Sequence, residues 1–331
     1  MRIGGNEYKF DGWSTVEPAR ITAAVVTFLP NEAGYFQRRM DVIRLSLLSL
    51  VRHAELPVDL LVFDNGSCRR LVDHLVELKE VGAIRFLILG AKNVGLAGAY
   101  RVIADAAPGE VIAFANDDVF YFPNWLSPQV RILDIFPDVG LVSGFYLRAT
   151  HPRTAELARE KGLMVRTVPA PDEWIEEFCR DASYPSPEAY TSAHVRAGWT
   201  DLDDRLVSSN DTDAYAGGVC WQAVLRKETL RSLVDCPNGS WRQQHRSFDG
   251  YLHEEVVRRG LLRLSTPVRL VRHIGNVVTP EMAALAAQHG IAAQPNVGTS
   301  RPGHRHLLMR FPPSRRLAMG VYNYLYRVVK S

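Results

Sequence analysis

Short apolar runs alternate with segments of helical periodicity over the first 145 residues, and this alternation limits the possible folds more than any other feature. Ile21 to Thr27, Val58 to Phe63, Ile84 to Leu89, Val111 to Ala115 and Val139 to Phe145 are rich in Val, Ile, Leu and Phe. Runs of this length and composition read as buried strands. Between them, Arg38 to Glu55 carries Ile43, Leu47, Leu50, Val51 and Ala54 at helical spacing. Leu71 to Lys79, Leu96 to Ala106 and Trp125 to Ile135 also read as helices, the second of them stopped by Pro108-Gly109. Strands that alternate with helices predict βαβ units and a mostly parallel sheet. In such sheets ligands bind outside the carboxyl ends of the strands. Thr27, Asp64 and the acids Asp117 and Asp118 all fall at such ends.

Asn116-Asp117-Asp118 follows the apolar run Val111 to Ala115 directly. Adjacent carboxylates at the end of a buried strand are costly to desolvate without a partner. Mg²⁺ or Mn²⁺ suits hard oxygen ligands of this kind and keeps positions open for substrate phosphates. An Asx turn uses the same residue types, so a plain surface turn is the competing reading. Asp64-Asn65-Gly66-Ser67 reads by itself as an Asx turn capped by Gly66. The stretch Gly90 to Ala99 lacks the GxGxxG spacing of a dinucleotide loop, because its glycines are Gly90, Gly95 and Gly98. A tight loop feeding a helix can still approach a phosphate, which makes Asn93 and Gly95 candidates.

The 331 residues are 47% hydrophobic, enough for a large core in one α/β domain with additions. A net charge of +3 gives no global field that demands nucleic acid. Cys68, Cys179, Cys220 and Cys236 are scattered, which predicts neither a zinc site nor a disulfide framework. No apolar run reaches the roughly 18 residues that span a bilayer, and Met1 to Glu7 lack a signal-peptide core, so a cytoplasmic protein is expected.

Residues 1–18 read as an N-terminal arm. Residues 150–215 have Pro-rich and acidic stretches and weak periodicity, which suggests a long excursion such as a lid or acceptor-binding segment. A strand–helix unit returns over 218–235, a helix over 249–260, and a strand over Val268 to His273. From Met282 onward there is no Asp or Glu. There, a helix over Arg315 to Lys330 puts Leu317, Val321, Tyr324, Leu325 and Val328 on one side. It either docks on the domain or touches a membrane surface peripherally, since basic amphipathic helices attract anionic lipids.

The ordered set Val25-Val26-Thr27, Phe63-Asp64-Asn65-Gly66-Ser67, Asn93 to Ala99, and Phe114 to Val119 with Pro123-Asn124-Trp125-Leu126 resembles glycosyltransferase family 2 over roughly residues 20–275. The resemblance implies a GT-A fold: a Rossmann-like, mostly parallel α/β sheet flanked by helices, here with a C-terminal helical extension. It implies a catalytic domain over 19–280, with a nucleotide-sugar half (19–149) and an acceptor half (150–280), and a basic extension over 281–331. It also implies an inverting, metal-dependent transferase. The donor would be a UDP- or dTDP-sugar, and the acceptor a glycan or lipid-linked hydroxyl of the cell envelope.

By the same resemblance, Asp64 contacts the nucleobase and Thr27 lies near base and ribose. Asp118 binds the metal, while Asp117 touches sugar hydroxyls or metal-bound water; either acid could be the direct ligand. Asn116 stands where the family's metal motif usually has an acid. Asp249, eleven residues before Gly260, falls at the catalytic base, with Phe248 replacing a preceding acid. His273 completes the metal site, and Gly218 lets backbone approach the donor sugar. Trp221 is either a sugar platform or a core residue, and Asp211-Thr212-Asp213 reads as a loop pair. Two other functions fit less well. A sugar-nucleotide pyrophosphorylase needs a Gly-rich first loop, where this chain has Phe28-Leu29-Pro30-Asn31-Glu32. A non-catalytic nucleotide or carbohydrate binder would tolerate Asn116 and Phe248.

Overall fold

The structure, a computed structural model, describes residues 17–147, 153–182, 184, 186–196, 203–235 and 248–293. Most of the N-terminal arm, Cys236 and the basic helix expected near the C-terminus lie outside the described residues. The expected alternation is present: β1 (Ile21–Thr27), α1 (Arg39–Arg52), β2 (Val58–Asp64), α2 (Arg69–Glu80), β3 (Phe86–Leu89), α3 (Gly95–Ala106), β4 (Val111–Asn116). Next come β5 (Val119–Tyr121), α4 (Ser127–Ile135) and β6 (Val139–Ser143).

Among the described residues the main sheet has ten strands, ordered β3-β2-β1-β4-β10-β6-β11-β9-β8-β7. Here β7 is Met164–Thr167, β8 Arg205–Ser209, β9 Thr212–Ala216, β10 Gln222–Arg226 and β11 Leu262–Ser265. β3, β2, β1 and β4 pair in parallel, β10 runs against β4 and β6, and β6 pairs in parallel with β11. β9, β8 and β7 then alternate in direction. Seven of the ten strands therefore point the same way, which is the mostly parallel α/β sheet expected.

β1 shows why the sheet needs two helical layers. All seven of its residues are buried. Ile21, Ala23 and Val25 pack into one core with α1, α2 and α4, while Ala24 and Val26 pack into another with α3. α8 (Lys227–Val234) and α9 (Phe248–Arg258) complete that second layer. A strand covered on both faces has no polar side to show, and each buried Val adds about 1.5–3 kcal/mol.

The excursion after residue 150 differs from its expectation. Its described parts are regular: α5 (Arg153–Glu160), α6 (Asp172–Asp181) and α7 (Pro187–Arg196), with β7, β8 and β9 extending the same sheet. β7 and β8 have only four and five residues, and β7 is largely exposed, so neither carries enough apolar positions to display a period. The Asp211-Thr212-Asp213 triplet belongs to the β8–β9 hairpin. Asn210 and Asp211 have φ of 45° and 58°, the paired positive values of a two-residue I′ turn. Only Asp211 lies in the turn expected for the whole triplet; Thr212 and Asp213 begin β9, where Asp213 is held by Arg166 at 3.2 Å.

A separate two-stranded sheet positions the site. β5 pairs antiparallel with β12 (Val271–His273), with His273 opposite Val119. Beyond it, α10 (Pro280–Gln288) is capped at its start by the Thr279 hydroxyl, which accepts from the Met282 N–H. Among the described residues no helix is long and apolar enough to cross a membrane.

Candidate active site

Asp117 and Asp118 form the turn between β4 and β5, at the carboxyl edge of the main sheet. The β5–β12 register brings His273 beside Asp118, and the Ile274 N–H donates to the Asp118 carbonyl at 2.7 Å. His273 Nε2 lies 3.4 Å from Asp118 Oδ2. Sequence separation is large, but two strands of three residues each fix the pair.

The residue that sequence reasoning missed is Arg39, the first residue of α1. Its guanidinium is buried between the two acids: Nη2 donates to Asp117 Oδ1, and Nη1 donates to Asp118 Oδ2 at 2.9 Å. Nη1 also lies 3.4 Å from the Gly275 carbonyl and from Asn276 Oδ1. One signal was available. A cation at a helix N-terminus opposes the macrodipole, so an arginine there needs anionic partners from elsewhere. Burial alone would lower the guanidinium's pKa, but the Asp117 and Asp118 charges raise it.

The two carboxylates are not equivalent. Burial pushes Asp117 up, against the pull of Arg39 and of the Phe28 N–H, which donates to its Oδ2 at 3.0 Å. Burial would raise Asp118 as well, but His273 and Arg39 outweigh it and hold this carboxyl at about 2. Both Asp117 oxygens have partners, whereas Asp118 Oδ1 is buried with none. His273 Nδ1 is buried and unpartnered too. A metal ion would suit this edge: an orphaned carboxylate oxygen and an imidazole are a donor set for Mn²⁺ or Mg²⁺. Among the described residues no group of three or more His, Cys, Asp or Glu side chains could hold a metal alone, so substrate oxygens or water would have to complete the coordination.

A cleft of about 400 Å³ opens beside this edge. Val26, Phe28, Tyr35 and Phe36 form an apolar wall, and Asn65, Asn93, Gly95, Asn116, Asp117 and Arg39 supply its polar groups. Phe36 packs edge-on against both Phe28 and Tyr35. The two asparagines hold the loop before α3. Asn65 Oδ1 accepts from the Val94 N–H at 2.8 Å, and Asn93 Oδ1 accepts from the Gly95 N–H at 2.7 Å. Gly95 has φ of 77°, a conformation costly for any other residue at the start of a helix.

Thr27 and Asp64 stand behind this wall. Asp64 is buried, and its Oδ2 accepts from the Gly66 and Ser67 N–H groups while Oδ1 accepts from the Thr27 hydroxyl at 3.3 Å. The Asx-turn reading of this acid thus has a geometric basis: its oxygens shape the turn that presents Asn65. Gly218 is not brought to the cleft either. It is buried, and a Cβ there would meet the Leu264 carbonyl at 2.9 Å, so a close approach of backbones explains the glycine.

Asp249 lies in the first turn of α9. Burial, with the nearby Asp118 charge added, pushes its carboxyl up to about 6, and its Oδ1 is buried without a partner. Phe248, the residue before it, packs on Tyr100 and Tyr251. Trp221 stands next to His273, with ring centroids 6.0 Å apart, and its carbonyl accepts from the Asn116 N–H. Its indole Nε1 is buried and unpartnered. Asp118, Trp221, Asp249 and His273 thus each leave a buried polar atom without a hydrogen bond, as do several groups elsewhere among the described residues, and at this edge such atoms suit a polar ligand.

Residues 35–190 match the profile of glycosyl transferase family 2. No curated protein matches the chain significantly in sequence. Similar solved structures include a mannosyltransferase from Pyrobaculum calidifontis in complex with GDP-Man and Mn²⁺, 17% identical, with a TM-score of 0.45 over 85% of this chain and 66% of that one. GalNAc-T7 with UDP, GalNAc and Mn²⁺ is 14% identical, with a TM-score of 0.45 over 78% and 44% of the two chains. S. aureus TarS 1-349 in complex with UDP-GlcNAc is 15% identical, with a TM-score of 0.30 over 38% and 33%. The chain therefore spans less than two thirds of each of these structures. The profile match takes in α1 with Arg39, the Asp64 turn, the Asn93–Gly95 loop and the Asn116-Asp117-Asp118 edge, and on that stretch the chain is similar to glycosyl transferase family 2.

Proposed function

We propose that this chain transfers a sugar from a nucleoside-diphosphate donor to an acceptor hydroxyl, with inversion, using a divalent cation. The observation that carries the reading is the pairing of two unlike carboxyl sites at one edge. Asp118 is held ionised beside an imidazole, while Asp249 is partly buried, unpartnered and pushed up to about 6. Environments that separate two acids in this way divide the roles of ion ligand and proton acceptor.

The cleft of about 400 Å³ takes the donor, with its base and ribose against Phe28, Tyr35 and Phe36 and its polar edges on Asn65 and Asn93. Thr27 and Asp64 support that wall from behind. Asn116 and Asp117 would face the sugar-diphosphate, and Asp118 with His273 would hold Mn²⁺ or Mg²⁺. When bound, the cation offsets the negative charge that develops on the departing nucleoside diphosphate. Asp249 accepts the proton of the acceptor hydroxyl as its oxygen attacks the anomeric carbon from the face opposite the leaving group. One base suffices for a single displacement, so no covalent sugar–protein bond is needed. Trp221 is placed to stack on a sugar face and to offer its indole N–H to a hydroxyl. UDP- and dTDP-sugars are the first donors to test, and a glycan or lipid-linked hydroxyl the first acceptor.

The test is a melting-temperature panel of UDP, dTDP and GDP with and without Mn²⁺, followed by turnover of the matching sugar nucleotide. A ligand that binds only the folded state raises its stability by mass action. One nucleotide should raise the melting temperature more with Mn²⁺ than without it. Failure of all three, with no release of nucleoside diphosphate from any donor, would refute the proposal.

A further inference from the structure

Arg39 lies where a second cation is least expected, in contact with the acids that would hold a metal. Its guanidinium bridges Asp117 and Asp118, lines the cleft, and reaches toward the loop after His273 through Gly275 and Asn276. Asp118 Oδ2 is already shared between Arg39 and His273, which leaves only Oδ1 without a partner. A divalent ion on Oδ1 would face a guanidinium hydrogen-bonded to the same carboxylate. In a buried setting two such cations repel strongly, because water does not screen them. A diphosphate removes the conflict, since it brings several negative charges and offers a guanidinium the paired oxygens it binds best.

We propose that Arg39 couples cation and diphosphate binding: it holds Asp117 and Asp118 until a diphosphate enters the cleft, then turns to the diphosphate and leaves Asp118 to the cation. The inference rests on the reading of the cleft as a nucleoside-diphosphate site. Arg39 is then a positioning residue with two positions. Without nucleotide it neutralises the acidic edge, since its guanidinium donates to both adjacent carboxylates at the strand end. With nucleotide it becomes the second positive charge on the leaving group. Linkage makes the effect reciprocal, so the cation tightens diphosphate binding by the same factor as the diphosphate tightens the cation.

The experiment titrates Mn²⁺ into the full chain and follows free Mn²⁺ by its electron paramagnetic resonance signal. Wild type, Arg39→Met and Arg39→Lys are each measured alone and with UDP, dTDP or GDP. In the wild type, one of these nucleotides should tighten Mn²⁺ by about tenfold or more. Arg39→Met should bind Mn²⁺ without nucleotide about tenfold more tightly than wild type, and its coupling factor should fall to about threefold or less. Mn²⁺ alone should raise the melting temperature of Arg39→Met and leave that of the wild type nearly unchanged. Arg39→Lys keeps the charge, so its affinity for Mn²⁺ without nucleotide should stay near the wild-type value. If Arg39→Met binds Mn²⁺ no more tightly than wild type, or if Arg39→Lys behaves like Arg39→Met, the coupling is not electrostatic and the inference is overturned. If the wild type binds Mn²⁺ with none of the three nucleotides, the donor reading falls with it. Mn²⁺ binding with nucleotide but unchanged coupling in Arg39→Met overturns the inference alone.

Discussion

Replacing Asp249 by Asn should disable the protein and stabilise it in one step. Asn keeps the shape of the side chain but neither ionises nor accepts a proton. The carboxyl rises from the ordinary 3.8 to about 6, because burial and the Asp118 charge both disfavour its ionised form. That gap corresponds to a cost on the order of 3 kcal/mol for keeping the group ionised in the folded chain, an upper figure because the residue is only partly buried. The sign follows from proton uptake. Between pH 3.8 and about 6 the folded state binds more protons than the unfolded state, so the Asp249 contribution to stability falls as pH rises through this window. The cost is absent below the window and complete above it. Urea unfolding of wild type and Asp249→Asn should therefore give nearly equal stabilities at pH 4 and a gain of about 1–3 kcal/mol for the variant at pH 7.5. Transfer should fall by about 10²- to 10⁴-fold, the usual worth of a general base, while nucleotide and Mn²⁺ binding persist. A variant no more stable than wild type at pH 7.5 would show that Asp249 is not a strained buried carboxylate. Near-normal turnover would show that it is not the base.

Three further outcomes follow from the same geometry. The kcat/KM of the wild type should lose activity below a pH of about 6 as Asp249 takes up its proton, a limb that a bound cation shifts downward. His273→Ala should weaken Mn²⁺ binding in the presence of nucleotide by about tenfold or more, measured calorimetrically, with little change in unfolding free energy. Gly66→Ala should cost roughly 2–4 kcal/mol in urea unfolding, because φ is 83° there and a Cβ would stand 2.7 Å from the Lys92 carbonyl carbon. A loss under about 0.5 kcal/mol would mean that the Asp64 turn and the Lys92–Asn93 loop do not press on each other.

The sheet was legible because its central strands are covered on both faces, so burial writes itself as unbroken apolar runs. Val111 to Ala115 is such a run, and its end marked the acidic edge directly. Only the resemblance pointed to His273 and Asp249, since nothing local links positions 118, 249 and 273. Their proximity depends on the β5–β12 pairing and on where α9 packs. Arg39 was hidden because α1 reads as an ordinary amphipathic helix, and only its contacts show that its first residue faces the site rather than solvent. At Asp64 and Gly218 the structure shows a second reason for the residue type. Each has a residue type that suits a ligand site, and each is accounted for by the backbone around it. The meander of β7, β8 and β9 was unreadable because short strands at a sheet edge carry too little apolar pattern.

The position of His273 also depends on the excursion after residue 150. Val271 is buried in the main core, His273 faces Asp118, and Arg272 between them points to the other side of the strand. There Arg272 binds Asp181 at the end of α6 through two hydrogen bonds of 2.8 and 3.1 Å, and Glu281 at the start of α10 through a third of 3.0 Å. The side chain of Arg272 is 5% exposed, so water competes little for these contacts. A strand of three residues has few backbone bonds to hold it, and this ionic clamp supplies the rest. The excursion thus does more than cover a face of the sheet. Through Asp181 and Arg272 it fixes the strand whose next residue meets Asp118, so a displacement of α6 would reach His273 through this clamp.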